Sequence, residues 1–456
     1  MTKHSGSLFI AMTLVICFYS SALALTDEEV FSQFQFNFIT PGARATALGG
    51  AFIGLADDAT AVESNPAGLT KLGKPEVSVE FKYIGYTTNQ IYANDDYINP
   101  DAQIKRKNFD DSVGSVPFVS VVYPYNGEKR KFVFSVYRQE LVNYKSSFRT
   151  GRQAISVPGS YDPIDSPWGI GFYPVDASVD LTVTNYGIGV AVEFFEGHLS
   201  LAASPRWSTM SMRSHSARFD WNEYGVTDFR DDQVKNETII DDADSGFSVN
   251  AGLKWDPDPR VSFGAVYRSG ITFTVKETPS PRDPGDFLNE LRPGNDYNPD
   301  LAEFTLTVPD SFGTGVAFRA LDTDRHSLQF TLDVVHIRYT DLLKDFDILM
   351  SSAKKDEFTV DNVTEMHVGV EYELKFIERT FLQSLFLRAG IYNEPDHTIR
   401  YTGSDTGYRE MYPGGEEQTH YTGGVGIVVN DHIQIDTAAN IAKNNAQLSI
   451  SGVYRF

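Results

Sequence analysis

The sequence holds a single cysteine, Cys17, and nothing for it to pair with. Beyond that residue the chain has no thiol, so disulfides are excluded as a source of its stability. Basic residues are scarce: 39 Lys and Arg stand against 61 Asp and Glu, a net charge of −22. Phosphate recognition needs Lys and Arg patches, so nucleic acid is excluded as a partner. Long apolar runs are also missing. The only one, 8–19, is too short to cross a bilayer as a helix. Lys3 and His4 precede it and Ala22-Leu23-Ala24 follow, the three regions of a secretory signal peptide over 1–24. Ile16 is a poor residue before a lipoprotein cysteine, so no lipid anchor is expected. A catalytic constellation is lacking as well. His198, His215, His326, His336, His367, His397, His420 and His432 are scattered, with no Ser/His/Asp setting around them. The chain is therefore read as a non-enzyme without cofactor or metal. The acidic stretch 220–244 is read as a solvated loop, because a calcium site needs spaced oxygen ligands.

What the sequence does have is strands. From 77 onward, period-two alternation places them near 77–88, 116–124, 130–141, 178–195, 198–218, 246–256, 260–277, 302–320, 326–341, 361–375, 381–393, 418–430, 432–442 and 447–456. The clearest alternation lies over 261–276. There Val261, Phe263, Ala265, Tyr267, Ile271, Phe273 and Val275 share one face, and Ser262, Gly264, Arg268, Gly270, Thr272, Thr274 and Lys276 the other. A strand crossing a membrane in a barrel needs that pattern, apolar toward lipid and polar toward the lumen. The connections alternate in length. Those at 125–129, 196–197, 256–259, 321–325, 376–380 and 430–431 are short. Those at 89–115, 142–177, 219–245, 278–301, 342–360 and 394–417 are long. Short turns on one rim and long loops on the other are the mark of an outer-membrane barrel. The expected fold is all-β: a transmembrane antiparallel barrel of about 14 strands over 76–456, an even number as bacterial barrels have.

The stretch 42–72 is different. It is rich in Ala and Gly, which permit close backbone approach inside something narrow. Asp57 and Asp58 precede a short run that one helical turn would suit. Asn65 stands before Pro66, which disfavours helix in its predecessor, and with Ala67 and Gly68 this makes a chain reversal. The segment 25–75 is expected to plug the lumen. Just upstream, Phe31, Phe34, Phe36 and Phe38 cluster and need burial against core or ligand. If lumen-facing strand residues are polar, as Arg268, Thr272 and Thr274 suggest, an apolar pocket has to come largely from this segment.

Gly49-Gly50-Ala51, Ala56-Asp57-Asp58-Ala59 and Asn65-Pro66-Ala67-Gly68-Leu69 resemble the N-terminal hatch of the FadL/TodX family of outer-membrane transporters for hydrophobic compounds. Val116-Pro117, Val308-Pro309-Asp310-Ser311-Phe312 and Leu387-Arg388-Ala389-Gly390 continue the likeness. The resemblance implies a monomeric channel in the outer membrane of a Gram-negative bacterium, among its lipids. It implies passive uptake of long-chain fatty acids or other hydrophobic compounds: capture among outer loops, rearrangement of the plug, then lateral exit through the wall. Phe287, Leu288 and Leu291, at helical spacing in the loop 278–301, are candidates for capture. Arg138 and Glu140, where the face shared by Phe132, Phe134 and Val136 turns polar, mark a possible wall kink in the third strand. The alternative is a PorV-like barrel that shares the plug motif and serves a secretion system as a scaffold for protein partners.

Overall fold

The computed structural model describes residues 41–93, 105–151, 153–156, 169–172, 174–220, 228–278, 303–344, 355–376, 381–404, 409 and 412–456. Its strands are β1 (Glu76–Ala93), β2 (Lys105–Asn126), β3 (Lys131–Arg149), β4 (Val175–Phe194), β5 (Leu199–Phe219) and β6 (Val234–Asp258). Next come β7 (Val261–Arg268, resumed over Ile271–Thr278) and β8 (Glu303–Val308, resumed over Ser311–Asp322). The wall is completed by β9 (His326–Ile337), β10 (Val363–Lys375), β11 (Leu382–Glu394), β12 (Gln418–Val429), β13 (Ile433–Ile441) and β14 (Asn445–Arg455). Sequential neighbours pair antiparallel, and β1 closes on β14 from Glu76↔Arg455 to Tyr86↔Asn445. The result is a closed 14-strand barrel, as the alternation predicts.

The lipid makes one chemical demand, and the outer face meets it. On β1, Val79, Phe81 and Tyr83 point outward, each about half exposed, while Ser78, Glu80 and Lys82 between them are buried. Exposed apolar side chains at this density would be a liability in water but form the wall a bilayer requires. Short turns lie at one rim, such as 127–130 between β2 and β3.

Several strands run further than the alternation shows. β2 begins at Lys105, β3 continues to Arg149 and β6 begins at Val234, inside stretches read as loop. Above the bilayer no lipid selects an apolar face, so the pattern fades while the hydrogen-bond ladder continues. Asp231, at the outer end of β6, is exposed in a short 3-10 helix, Asp231–Gln233. With Cys17 replaced by serine, an Asp231→Cys variant should react with a membrane-impermeant thiol reagent on intact cells. Reaction only after outer-membrane disruption would invert the orientation.

β7 departs from the sequence reading. It is not one continuous strand with one oily face. Both β7 and β8 break, at Ser269-Gly270 and at Pro309-Asp310, where proline offers no amide to the ladder. Beyond the break, Phe273 and Val275 are fully buried on the inside, and Thr272, Thr274 and Lys276 face out. Thr272 and Thr274 are therefore not lumen residues, whereas Arg268 is.

Candidate functional site

The segment 41–72 sits within the barrel, and nearly every residue of it is buried. It contains α1 (Ala43–Ala47), α2 (Ala61–Ser64) and a 3-10 helix, Pro66–Lys71. Helices this short leave most of their polar backbone groups without internal partners. The wall supplies them. Asp333 on β9 accepts from the Ile53 amide at 2.6 Å. Lys254 on β6 donates to the Leu55 carbonyl at 2.8 Å. Asn250 on β6 donates to the Glu63 carbonyl, and Arg268 on β7 to the carbonyls of Glu63 and Ser64. Thr422 on β12 donates to the Ala47 carbonyl, and His367 on β10 to that of Gly49. The lumen-facing polar residues of the inner half are thus a cradle for plug backbone.

Asn65 works as its place before Pro66 suggests. Its backbone is extended (φ −159°) and its side-chain oxygen accepts from the Ala67 amide. Its side-chain nitrogen donates to the carbonyls of Ile53 and of Leu253 on β6. Gly68 packs so closely that a Cβ there would lie 2.0 Å from the Ala56 carbonyl oxygen. Asp58 does not cap α2 directly; its carboxylate accepts from the Thr60 amide and hydroxyl ahead of the helix. Burial pushes the Asp58 carboxyl up from its ordinary range, against the opposing charge of Arg44.

Charge ties the plug to the wall. Asp57 pairs with Arg44 at 2.7 Å, and Arg44 grips Glu371 of β10 through two nitrogens at 2.8 and 2.9 Å. Glu371 also accepts from Arg388 on β11 at 2.6 Å, and Arg388 pairs with Asp436 on β13 at 2.6 Å. Wall glycines provide the close approach elsewhere: a Cβ on Gly264 or Gly390 would come within 2.2–2.3 Å of plug backbone atoms. The sequence places Gly264 in the alternation of 261–276 and Gly390 in the string Leu387-Arg388-Ala389-Gly390, and gives no sign of the roles of Glu371, Lys254, Asp333 and Asp436.

Above the plug the chemistry reverses. Leu181 and Val183 on β4, Met210 and Met212 on β5, and Phe273 and Val275 on β7 join one buried apolar cluster. The strands themselves therefore build apolar lining in the outer half, and the expectation that it must come largely from the plug segment is corrected. Beside this cluster lies a cavity of about 580 Å³, lined in part by Pro41, Lys82, Ile84, Tyr86, Leu141 and Tyr144.

The cavity abuts a discontinuity in the wall. β2 and β3 pair only from Asn126↔Lys131 to Phe118↔Gln139, although both strands continue outward. At the same height β3 slips register against β4 between Glu140 and Val142. Arg138 pairs with Glu140 at 2.6 Å and reaches the Val116 carbonyl on β2. Higher up, the Tyr86 hydroxyl meets the backbone of Lys145, and the Asp111 carboxylate takes the Ser147 amide. Side chains bridge this seam where a ladder would otherwise run. Phe31, Phe34, Phe36, Phe38, Phe287, Leu288 and Leu291 lie outside the described residues.

Known structures share this architecture. A FadL homologue from Pseudomonas aeruginosa superposes with a TM-score of 0.57 at 15% identity, covering 92% of this chain and 100% of that one. The toluene transporter TbuX of Ralstonia pickettii gives 0.52 at 15% identity, covering 92% and 99%. The toluene transporter TodX of P. putida gives 0.52 at 11%, again covering 92% and 99%. No curated protein matches the sequence significantly. The family model described as outer membrane protein transport protein (OMPP1/FadL/TodX) matches residues 23–449. With that match over nearly its whole length, the chain belongs to this family of Gram-negative outer-membrane β-barrels that transport hydrophobic compounds.

Proposed function

We propose that this transporter takes up an amphiphile with an apolar tail and a polar head, such as a long-chain fatty acid, and releases it sideways through the β2–β3 seam. The observation that carries this reading is the division of the lumen. A plug bonded to the wall by side chains from many strands stands below an apolar chamber, and the adjoining cavity ends at an interrupted ladder. Moving the whole plug would break many buried hydrogen bonds at once, each costly to leave unmade. The seam needs fewer broken contacts. The cavity is amphipathic, with Ile84, Tyr86, Leu141 and Tyr144 beside cations (Lys82, Arg106, Lys443) and carboxylates (Glu80, Glu140, Asp396, Glu416), which suits a chain with a polar end better than a plain hydrocarbon.

Pro41 lines the cavity, and Phe38 is only three residues upstream, within about 10 Å of chain reach. Phe31, Phe34, Phe36 and Phe38 are accordingly proposed to contribute to the pocket. Phe287, Leu288 and Leu291, on the connection between β7 and β8, are proposed to capture at its mouth. The transporter is proposed to act as a monomer.

Two measurements test this. Organic extraction of the purified protein followed by mass spectrometry should release a fatty acid. Uptake of a fluorescent long-chain fatty acid should fall ten-fold or more when Gly114→Cys and Asn143→Cys are joined by a bifunctional thiol reagent across β2 and β3. Undiminished uptake after joining would move the exit elsewhere. No uptake by the unmodified protein would leave a protein-binding scaffold as the better reading.

A further inference from the structure

A second stretch of wall is joined without a ladder, four strands further round the barrel from the first. β6 and β7 pair from Asp258↔Val261 to Asn250↔Arg268, with a register shift after Trp255, and again at Ile240↔Glu277 and Ile239↔Thr278. Between these, residues 241–248 of β6 hold no ladder pair with β7 among the described residues, although β6 stays paired with β5 throughout. Two carboxylates fill the interval. Asp242 accepts from the Ala243 amide on its own strand at 2.9 Å and from the Lys276 amide across the seam at 2.8 Å. Asp244 repeats the arrangement with the amides of Ser245 at 2.7 Å and Thr274 at 2.8 Å. Each carboxylate stands where a peptide carbonyl of the neighbouring strand would stand.

The far side of the seam is a unit. Ile271 to Lys276 stay paired with Val308 to Glu303, so the outer halves of β7 and β8 form an intact hairpin. That hairpin is bent at Ser269-Gly270 and Pro309-Asp310, where the Asp310 carboxylate takes the Gly270 amide at 2.6 Å. A Cβ at Gly270 would lie 2.1 Å from the Val308 carbonyl oxygen, so the bend requires glycine. Phe273, Val275, Leu306 and Val308 turn its inner face into the apolar chamber. On the outside, Phe247 is 84% exposed near the inner end of the unpaired stretch of β6, on the face the wall turns to lipid. Apolar chamber, carboxylate-joined seam and bilayer therefore follow one another in space.

We infer that the β6–β7 seam is a second lateral opening, in series with the first, through which apolar molecules enter the outer chamber from the bilayer before leaving by the β2–β3 seam, with Asp242 and Asp244 as its latch and the bent β7–β8 hairpin as its moving leaf. Opening it releases two carboxylate bridges and the short outer pairing, whereas parting two ordinary strands would break a ladder over the same length. This inference rests on the transport reading and goes beyond the β2–β3 exit.

The test joins Ser245→Cys to Thr272→Cys with a bismaleimide in a full-length chain carrying Cys17→Ser, and measures uptake of the fluorescent fatty acid by cells. Joined protein should take up at least five-fold less than the same variant treated with a monofunctional maleimide. The pair Asp242→Ala and Asp244→Ala should raise uptake at least two-fold where that variant assembles; the joined variant decides the matter where it does not. Uptake within two-fold of the monofunctional control would overturn the second opening while leaving transport intact. Failure of the unmodified protein to take up the probe would instead overturn the transport reading, and this inference with it.

Discussion

Glu371→Ala should loosen the plug, lower the melting point of the barrel and admit small hydrophilic solutes. Among the described residues, Glu371 is the only carboxylate that both Arg44 of the plug and Arg388 of the wall contact, at 2.6–2.9 Å. All three side chains are buried or nearly so. Removing one member of a buried ion pair leaves the partner charge without compensation, a loss of about 3–5 kcal/mol. Here Arg44 keeps Asp57 and Arg388 keeps Asp436, so the loss falls at the lower end, about 3 kcal/mol. Two of the five members of that network, Arg44 and Asp57, lie in the plug, so its failure reads out as leakage as well as stability. Single-channel conductance in planar bilayers should rise from near zero, and cells should become sensitive to hydrophilic antibiotics. Glu371→Gln, which keeps one acceptor oxygen and turns the other position into an NH2 donor, should show a smaller effect. Unchanged conductance with a lowered melting point would show that the ion network stabilises the wall without holding the plug.

The sequence carries the barrel well because lipid imposes one repeated demand. Val79, Phe81 and Tyr83 alternate with Ser78, Glu80 and Lys82, and a reader needs no distant contact to place them. Alternation tells which residues share a face, however, and not which side of the wall that face is on. In β7 the apolar set runs on from Tyr267 to Phe273 and Val275 without a visible break. Only the paired bend at Ser269-Gly270 and Pro309-Asp310 turns it inward, and the partner residues lie some 40 positions apart in sequence. The plug divides in the same manner. Asn65 was legible because proline follows it, a local constraint. Its acceptor at Leu253 was not, because it is 188 residues away. The same holds for Arg44 and Glu371, separated by 327. Charged residues inside a barrel read as ordinary polar lumen until the plug is in place against them. Side chains bridging an interrupted ladder, at Tyr86 and Asp111 or at Asp242 and Asp244, leave no periodic trace at all.

Gly390→Val should expel or displace the plug while leaving the barrel assembled. The residue lies on β11, paired on both sides, with Gly369 of β10 and Thr422 of β12 as its register partners. Valine suits a strand better than glycine does, so the wall itself gains. The obstacle is the plug. A Cβ at Gly390 would lie 2.3 Å from the Gly49 nitrogen and 2.4 Å from the Leu48 carbonyl carbon. Both are backbone atoms and cannot rotate aside as a side-chain end could. Overpacking of this kind ordinarily costs about 1–3 kcal/mol, and a backbone collision belongs at or above the top of that range. The protein can relieve it only by moving α1 and the turn after it away from β11, which also draws Arg44 from Glu371. Purified Gly390→Val should therefore still migrate as a heat-modifiable barrel, with raised conductance and new protease cleavage within 41–72. Gly452→Val is the matched control, since nothing lies within 4 Å of a Cβ there, and it should behave as the parent protein. A Gly390→Val protein with parental conductance, melting point and protease resistance would mean the plug can shift at little cost. Movement of the plug, rather than a seam in the wall, would then become the favoured route for the substrate.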